Sequence, residues 1–243
     1  MQRDFTIFGI EHWIVIILTI VIPFGLGHWV RASTQGIHSK VCKNICYGWA
    51  AVFVINKFIQ LWWTWEQGVL SLQNGLPLHL CDWATLTAVL TLIFRWHLTY
   101  ELTFFWALTG TINAVMTPDL NESFPHLRFI CFFVSHSGLI AVVIFLTYGM
   151  RWRPTWSSLW KAFLGCQVYF MFVQSINWLI DANYGYLMAK PANPSMLDYL
   201  GPWPWYILSM EVLCLAFFLI YYAPFALADW LRAKRCRKIN AED

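Results

Sequence analysis

Apolar residues in this chain gather in long blocks, near residues 9–30, 45–66, 76–95, 101–117, 127–149, 157–180 and 204–228. Each block is close to the roughly 20 residues that an α-helix needs to cross the hydrocarbon core of a bilayer. Within them the apolar positions do not keep the three-to-four-residue spacing of a surface helix. Nor do they alternate in segments of about ten residues, as the strands of an outer-membrane barrel would. The fourth block is the shortest, bounded by Glu101 and by Thr117-Pro118. Pro77 and Pro204 read as helix starts, where a missing N–H leaves no bond unmade. The pattern predicts an all-α membrane protein, a compact bundle of seven transmembrane helices in one domain spanning residues 1–243. No internal repeat interrupts it. No cleavable signal is expected, because the first block holds Glu11 and His12 and is too long for a signal core.

Composition strengthens this reading. Of 243 residues 59% are hydrophobic and 12% charged, against roughly a quarter charged in a soluble domain. So few charges cannot cover so much apolar surface in water. A soluble enzyme, a nucleic-acid binder and a secreted disulfide scaffold are excluded. Lysine and arginine then orient the bundle. Arg31, Lys40, Lys43, Arg95, Arg151, Arg153, Lys161 and the tail residues Arg232, Lys234, Arg235, Arg237 and Lys238 fall on one side, and Arg3, Arg128 and Lys190 on the other. That imbalance predicts an N-terminus outside and a C-terminus in the cytoplasm, with the basic tail as a topological anchor.

Ionisable side chains inside a span are costly and suggest function. With this orientation Glu11, Glu66, His79, Asp82, His126, Arg128, His136, Asp181 and Glu211 all sit in or near the outer leaflet. Their convergence predicts a water-accessible cavity opening outward. His136 lies about nine residues into its block, roughly 13 Å deep at 1.5 Å per residue, and Glu211 is comparably placed. The outer segment from Tyr184 to Trp203 is long for a connection in a small bundle, and such loops tend to be functional.

Among seven cysteines, Cys42, Cys46 and Cys236 lie near the reducing face, and Cys131, Cys166 and Cys214 read as small buried hydrophobes. Cys81 differs. It stands in Leu78-His79-Leu80-Cys81-Asp82-Trp83, among polar neighbours at the outer leaflet. A thiol attacks as its thiolate and needs a base or a helix N-terminus nearby. His136 at similar depth is the candidate base, with Arg128 and Phe132 on the same face of its helix. His79 and Asp82 are read as sharing a face of the third helix, with Asp82 able to orient an imidazole or accept a hydrogen bond. The alternatives are a packed cysteine, a structural histidine, and a zinc site of His79, Asp82 and His136. With no His-Glu-x-x-His run and no histidine after position 136, no metal and no cofactor are expected.

The strings Thr117-Pro118-Asp119-Leu120, Phe124-Pro125-His126-Leu127-Arg128-Phe129 and Ser135-His136-Ser137-Gly138 carry a family resemblance. With Pro77-Leu78-His79-Leu80-Cys81, Asn183-Tyr184, Lys190-Pro191 and Gly201-Pro202-Trp203-Pro204-Trp205-Tyr206, they resemble the YwaF-type family of small bacterial integral membrane proteins, from about residue 70 to 225. That family is similar in turn to eukaryotic multi-span lipid acyltransferases that use cysteine and histidine, and more distantly to fatty-acid-ester hydrolases that use threonine and histidine. The resemblance implies a plasma-membrane protein of the bacterial inner membrane, with Cys81 as nucleophile and His136 as its base. The flanking Asp82-Trp83 and the Gly-Pro-Trp-Pro-Trp loop depart from the eukaryotic pattern, which leaves the substrate open.

The resulting expectation is an intramembrane acyl-transfer enzyme acting on membrane lipids, a phospholipid acyltransferase or lipid ester hydrolase. Cys81 and His136 carry the chemistry, His79, Asp82 and Glu211 support it, and His126, Arg128 and Lys190 bind a headgroup. No nucleic acid is expected as partner. The alternative is a seven-span transporter or receptor with Lys57, Asp181 and Glu211 as a binding network.

Overall fold

A computed structural model of the chain describes residues 4–191 and 196–239. Arg3 falls outside them, as do the side chains of Cys236 and Lys238. The described chain is all-helical, with seven main helices: α1 (Ile10–Ala32), α2 (Lys40–Glu66), α3 (Leu80–Phe94), α4 (His97–Met116), α5 (Leu127–Ile144), α6 (Trp156–Ile180) and α7 (Trp205–Ile239). A π-helical turn, Phe145–Gly149, extends α5. Among the described residues the one β feature is an isolated bridge between Asp4 and Glu122.

α1, α2, α5, α6 and α7 are long and apolar enough to cross a membrane. The protein is a membrane protein. α3 has 15 residues, about 22 Å at 1.5 Å each, less than the roughly 30 Å of a bilayer core. α4 is not among the apolar helices, and its position explains why. It packs against α3, α5, α6 and α7, and Tyr100, Glu101, Thr103, Phe105, Trp106 and Ala107 along it are buried. Protein surrounds this helix, so its polar side chains find partners that lipid would not supply.

Those partners are specific. Buried threonines join α3 to α4, with Thr91 Oγ1 donating to Thr99 Oγ1 at 2.9 Å and Thr103 Oγ1 to Thr87 Oγ1 at 3.0 Å. Trp106 Nε1 donates to the Ala162 carbonyl of α6 at 3.0 Å. His12 Nε2 bonds the Val115 carbonyl at 2.6 Å, which ties α1 to the end of α4. Carbonyls only accept, so this ring carries its proton on Nε2, while Nδ1 accepts from the Phe8 N–H. Where backbones meet most closely there is no side chain. A Cβ on Gly149 would lie 2.8 Å from Gly27 Cα, and one on Gly138 would lie 2.8 Å from Phe53 Cε1.

Several boundaries differ from those expected. α2 begins at Lys40, because Ser39 caps it by accepting from the Cys42 N–H at 3.1 Å. α7 continues into the basic tail, since lysine and arginine are good helix formers even where hydropathy ends. α3 begins at Leu80, so Pro77 lies three residues before the helix and not at its start. The segment ahead of it runs in turns and bends and is pinned by tyrosines: Tyr184 Oη accepts from Leu76 N–H at 2.9 Å and donates to the Leu72 carbonyl at 2.8 Å, and Tyr169 Oη donates to the Leu78 carbonyl at 3.0 Å. Arg95, in the left-handed region at φ 56°, ends α3 and turns the chain directly into α4.

Candidate functional site

α2, α3 and α5 enclose a cavity of about 540 Å³. Its apolar lining is Phe53, Val54, Phe58, Leu61, Leu86 and Val89, of which Val54, Phe58 and Leu86 are exposed at the outer surface of the bundle, and its polar residues are Lys57, Gln60, Thr64, Cys81, Asp82, Thr85, Arg128, Ser135 and His136. From Phe53 to Thr64 the α2 wall covers eleven rises, about 16 Å of helix. Such a slot suits a flexible apolar chain with a polar group at one end. Cys81 and His136, brought from α3 and α5, line this one cavity.

Cys81 is the second residue of α3. The first turn of a helix carries unpaired N–H groups and the positive end of its dipole, which favour an anion. The backbone N–H groups of Cys81 and Asp82 lie beside the thiol. Because α3 starts at Leu80, Cys81 sits closer to that positive end than a helix beginning at residue 76 would place it. His136 stacks on Phe132 with ring centres 4.3 Å apart, and its Nδ1 bonds the Phe132 carbonyl at 2.9 Å. The carbonyl accepts, so Nδ1 carries the proton and the Nε2 lone pair is left to act as a base.

Of the two roles read for Asp82, it fills the second: it accepts hydrogen bonds, and neither donor is an imidazole. Its Oδ1 accepts from Lys57 Nζ at 2.6 Å and its Oδ2 from the His79 backbone N–H at 3.2 Å. The carboxylate thus caps its own helix and joins α3 to α2. Lys57, expected in a network with Asp181 and Glu211, is paired with Asp82 instead. His79 is the N-cap residue of α3, and its ring packs beside Tyr184 and Tyr186, with Nδ1 accepting from the Gly185 N–H at 3.4 Å. It supports the entrance to α3 and does not line the cavity. Among the described residues no group of three or more His, Cys, Asp or Glu is placed to hold a metal.

Gln60 and Ser135, not expected there, also line the cavity, and the buried Asn56 supports them. Ser135 Oγ accepts from Asn56 Nδ2 at 2.8 Å and from Gln60 Nε2 at 2.9 Å. The same amides reach the Cys131 carbonyl at 3.1 and 3.3 Å. The signal for them is a polar stripe, Asn56-Lys57-Gln60-Thr64, recurring at helical spacing within an apolar span.

The expected headgroup residues are dispersed. Arg128 lines the mouth of the cavity and pairs with Glu122 at 3.3 Å. Partial burial pulls the Glu122 carboxyl upward, but its own backbone N–H and Arg128, with His126 beyond, hold it below the usual carboxylate range. His126 caps α5, its Nδ1 accepting from Arg128 N–H at 3.2 Å, and meets Trp63 edge-on. Lys190 lies over the Tyr206 ring at 5.6 Å and donates to the Asp198 carbonyl at 3.4 Å. Glu211 is on α7, which packs on α4 and α6, and is not part of the cavity wall.

The chain matches the TMEM164 family over residues 7–222. It belongs to that family. The motifs read as YwaF-type lie within the matched span, as do Cys81, His136, Lys57 and Ser135. An uncharacterized protein of Treponema pallidum (strain Nichols) is 29% identical over 184 residues, 75% of each chain. No solved structure matches the chain. The family span takes in α1 to α6 and most of α7, and with them every wall of the cavity.

A second space, about 480 Å³ and almost wholly apolar, lies between α1, α2 and α5. Phe53 on Gly138 separates the two. Glu11 at its edge is already engaged, accepting from Ser123 Oγ and from the Phe124 N–H.

Proposed function

We propose that this protein is an intramembrane acyl-transfer enzyme acting on membrane lipids, with Cys81 as nucleophile and His136 as general base. The observation that carries the reading is the shared cavity: a cysteine at a helix N-terminus and a histidine with a free Nε2, facing a slot with apolar walls. As the Cys81 sulfur attacks an ester carbonyl, its proton passes to His136 Nε2. The S–C bond forms, the C–O bond breaks, and His136 returns the proton to the leaving oxygen. A second hydroxyl, or water, then attacks the thioester while His136 removes its proton; the new C–O bond forms, the S–C bond breaks, and His136 returns the proton to the Cys81 sulfur. The thiol deprotonates as it attacks, so no free thiolate has to persist in the membrane interior. A base in this position contributes about 10²–10⁴ in rate.

Arg128 at the mouth is the residue placed to meet a phosphate. In this reading all seven helices cross the bacterial inner membrane, the basic end faces the cytoplasm, and the cavity opens to the outer leaflet. The test is covalent labelling of the purified protein by a lipid-like thiol- or serine-hydrolase probe. Cys81→Ala and His136→Ala each abolish labelling. If both label like the parent, the reading is wrong.

A further inference from the structure

An acyl transfer needs more than a nucleophile and a base. When sulfur adds to an ester, the carbonyl oxygen becomes an anion, and in a water-poor cavity that charge needs donors already in place. Most donors lining this cavity are spent. Both N–H bonds of the Asn56 amide and both of the Gln60 amide are taken by Ser135 Oγ and the Cys131 carbonyl. Arg128 keeps N–H bonds beyond those it gives Glu122, but it stands at the mouth, two helical turns from His136, so the donors that matter are those beside the reacting pair.

Two groups there keep donors in hand. An ammonium has three N–H bonds, and Asp82 takes one from Lys57. Its side chain is 33% exposed and lines the cavity. A serine hydroxyl has one proton and two lone pairs. At Ser135 both lone pairs accept, from Asn56 and Gln60, which turns the O–H away from those amides. The two groups are also at one level. Asn56 and Gln60 bracket Lys57 on α2 and reach across to Ser135 on α5, while Lys57, about 100° round the helix from Asn56, reaches across to Asp82 on α3. Cys81 precedes Asp82 on α3 and His136 follows Ser135 on α5, and Lys57, Cys81, Ser135 and His136 all line the one cavity.

On the acyl-transfer reading, we propose that the Lys57 ammonium and the Ser135 hydroxyl are catalytic residues that together bind the oxyanion formed when Cys81 attacks an ester. Asp82 is then a positioning residue: it fixes the ammonium and balances its charge, while the remaining N–H bonds face the substrate oxygen. Asn56 and Gln60 do the same for the Ser135 hydroxyl.

The test separates oxyanion binding from thiol reactivity. The full chain in nanodiscs is given p-nitrophenyl decanoate, and the first-turnover acylation of Cys81 is followed by nitrophenolate release and by mass of the Cys81 peptide. Alkylation of Cys81 by iodoacetamide, a displacement of iodide at carbon in which no oxyanion forms, is timed in parallel. The ratio of acylation to alkylation is expected to fall roughly 10²-fold or more in Lys57→Met and in Ser135→Ala, the loss typical of one oxyanion donor. A structural role, or an effect on the thiol alone, lowers both rates together and leaves the ratio intact. A headgroup role also leaves it intact, because this ester carries no headgroup. The proposal is overturned if the ratio stays within twofold of the parent in either variant, or in Ser135→Ala alone should Lys57→Met fail to fold. A parent that is never acylated at Cys81 sinks the acyl-transfer reading, and this proposal with it.

Discussion

Among the described residues two acid–base pairs join one helix to another, and they are built to different ends. At one end Glu101 of α4 is 4% exposed by side chain and fully occupied: it accepts from Ser158 Oγ at 2.7 Å and from Lys161 Nζ at 2.9 and 3.2 Å, with His97 at 3.3 Å. It lines neither of the two cavities described above. Toward the other end Lys57 and Asp82 meet at 2.6 Å beside Cys81, His136 and an open slot, and the ammonium retains N–H bonds without a protein acceptor. Both pairs bring charge into the bundle at a desolvation cost that their attraction only partly offsets. A buried charge is therefore a poor marker of a site by itself. What separates the two is unspent hydrogen-bonding capacity facing a space that a ligand can enter.

The strongest way to break this contrast is to remove one half of the Lys57 pair. Asp82→Leu leaves an ammonium without its counter-charge and α3 without its cap. Losing one partner of a buried pair costs roughly 3–5 kcal/mol, which we discount to about 2–3 kcal/mol because a third of the Lys57 side chain faces the cavity. Lys57→Met/Asp82→Leu together are expected to recover most of that stability in thermal unfolding, since an apolar pair of similar volume is often neutral. Acylation of Cys81 stays lost. If the double variant is as unstable as Asp82→Leu, the pair is there for stability and the contrast disappears.

The Glu101 cluster predicts the reverse. Glu101→Gln keeps the Ser158 contact but gives up the charge, at about 1.5–3 kcal/mol for hydrogen bonds to a charged group. Cys81 acylation measured at a temperature where the variant is folded is expected to match the parent. A loss comparable with that of Lys57→Met would place Glu101 in the chemistry and remove the distinction. Ser158→Ala is smaller, about 1 kcal/mol, because it also opens the capping box in which Thr155 and Ser158 exchange bonds at the start of α6.

How far each region was legible follows from the same physics. The apolar blocks located all seven helices, because lipid demands continuous apolar surface and closed backbone bonding, but they missed the end of α7, which runs on to Ile239 where the block stops near 228. α4 is the weak point of that logic, since neighbouring helices shield it and it does not have to be apolar. Cys81 and His136 stood out as reactive types at one depth, and the fold does bring them to one cavity. The partner of Asp82 was not legible. Its spacing to His79 matches one helical turn, but His79 caps α3 from outside the helix, so the rule that residues three apart share a face does not hold there. The true partner, Lys57, is 25 residues away on another helix. Only the polar stripe on α2 pointed toward it.

A third pair tests the contrast at its lower limit. Arg128 and Glu122 stand at the cavity mouth, with side chains 48% and 23% exposed, and an exposed pair contributes about 0–1 kcal/mol. Glu122 is held below its ordinary value of 4.5, so its folded form binds a proton less readily than the unfolded chain. The stability it adds is complete above that ordinary value and is lost as pH falls through the lower, folded one. Arg128→Gln is expected to flatten thermal stability over that acid window by a few tenths of a kcal/mol and to leave decanoyl-ester acylation unchanged. If Arg128 meets a lipid phosphate, the same variant weakens turnover of a phospholipid substrate through KM. A fall in acylation by the headgroup-free ester would instead put the mouth in the reacting centre, and the line between spent and unspent donors would have to be drawn elsewhere.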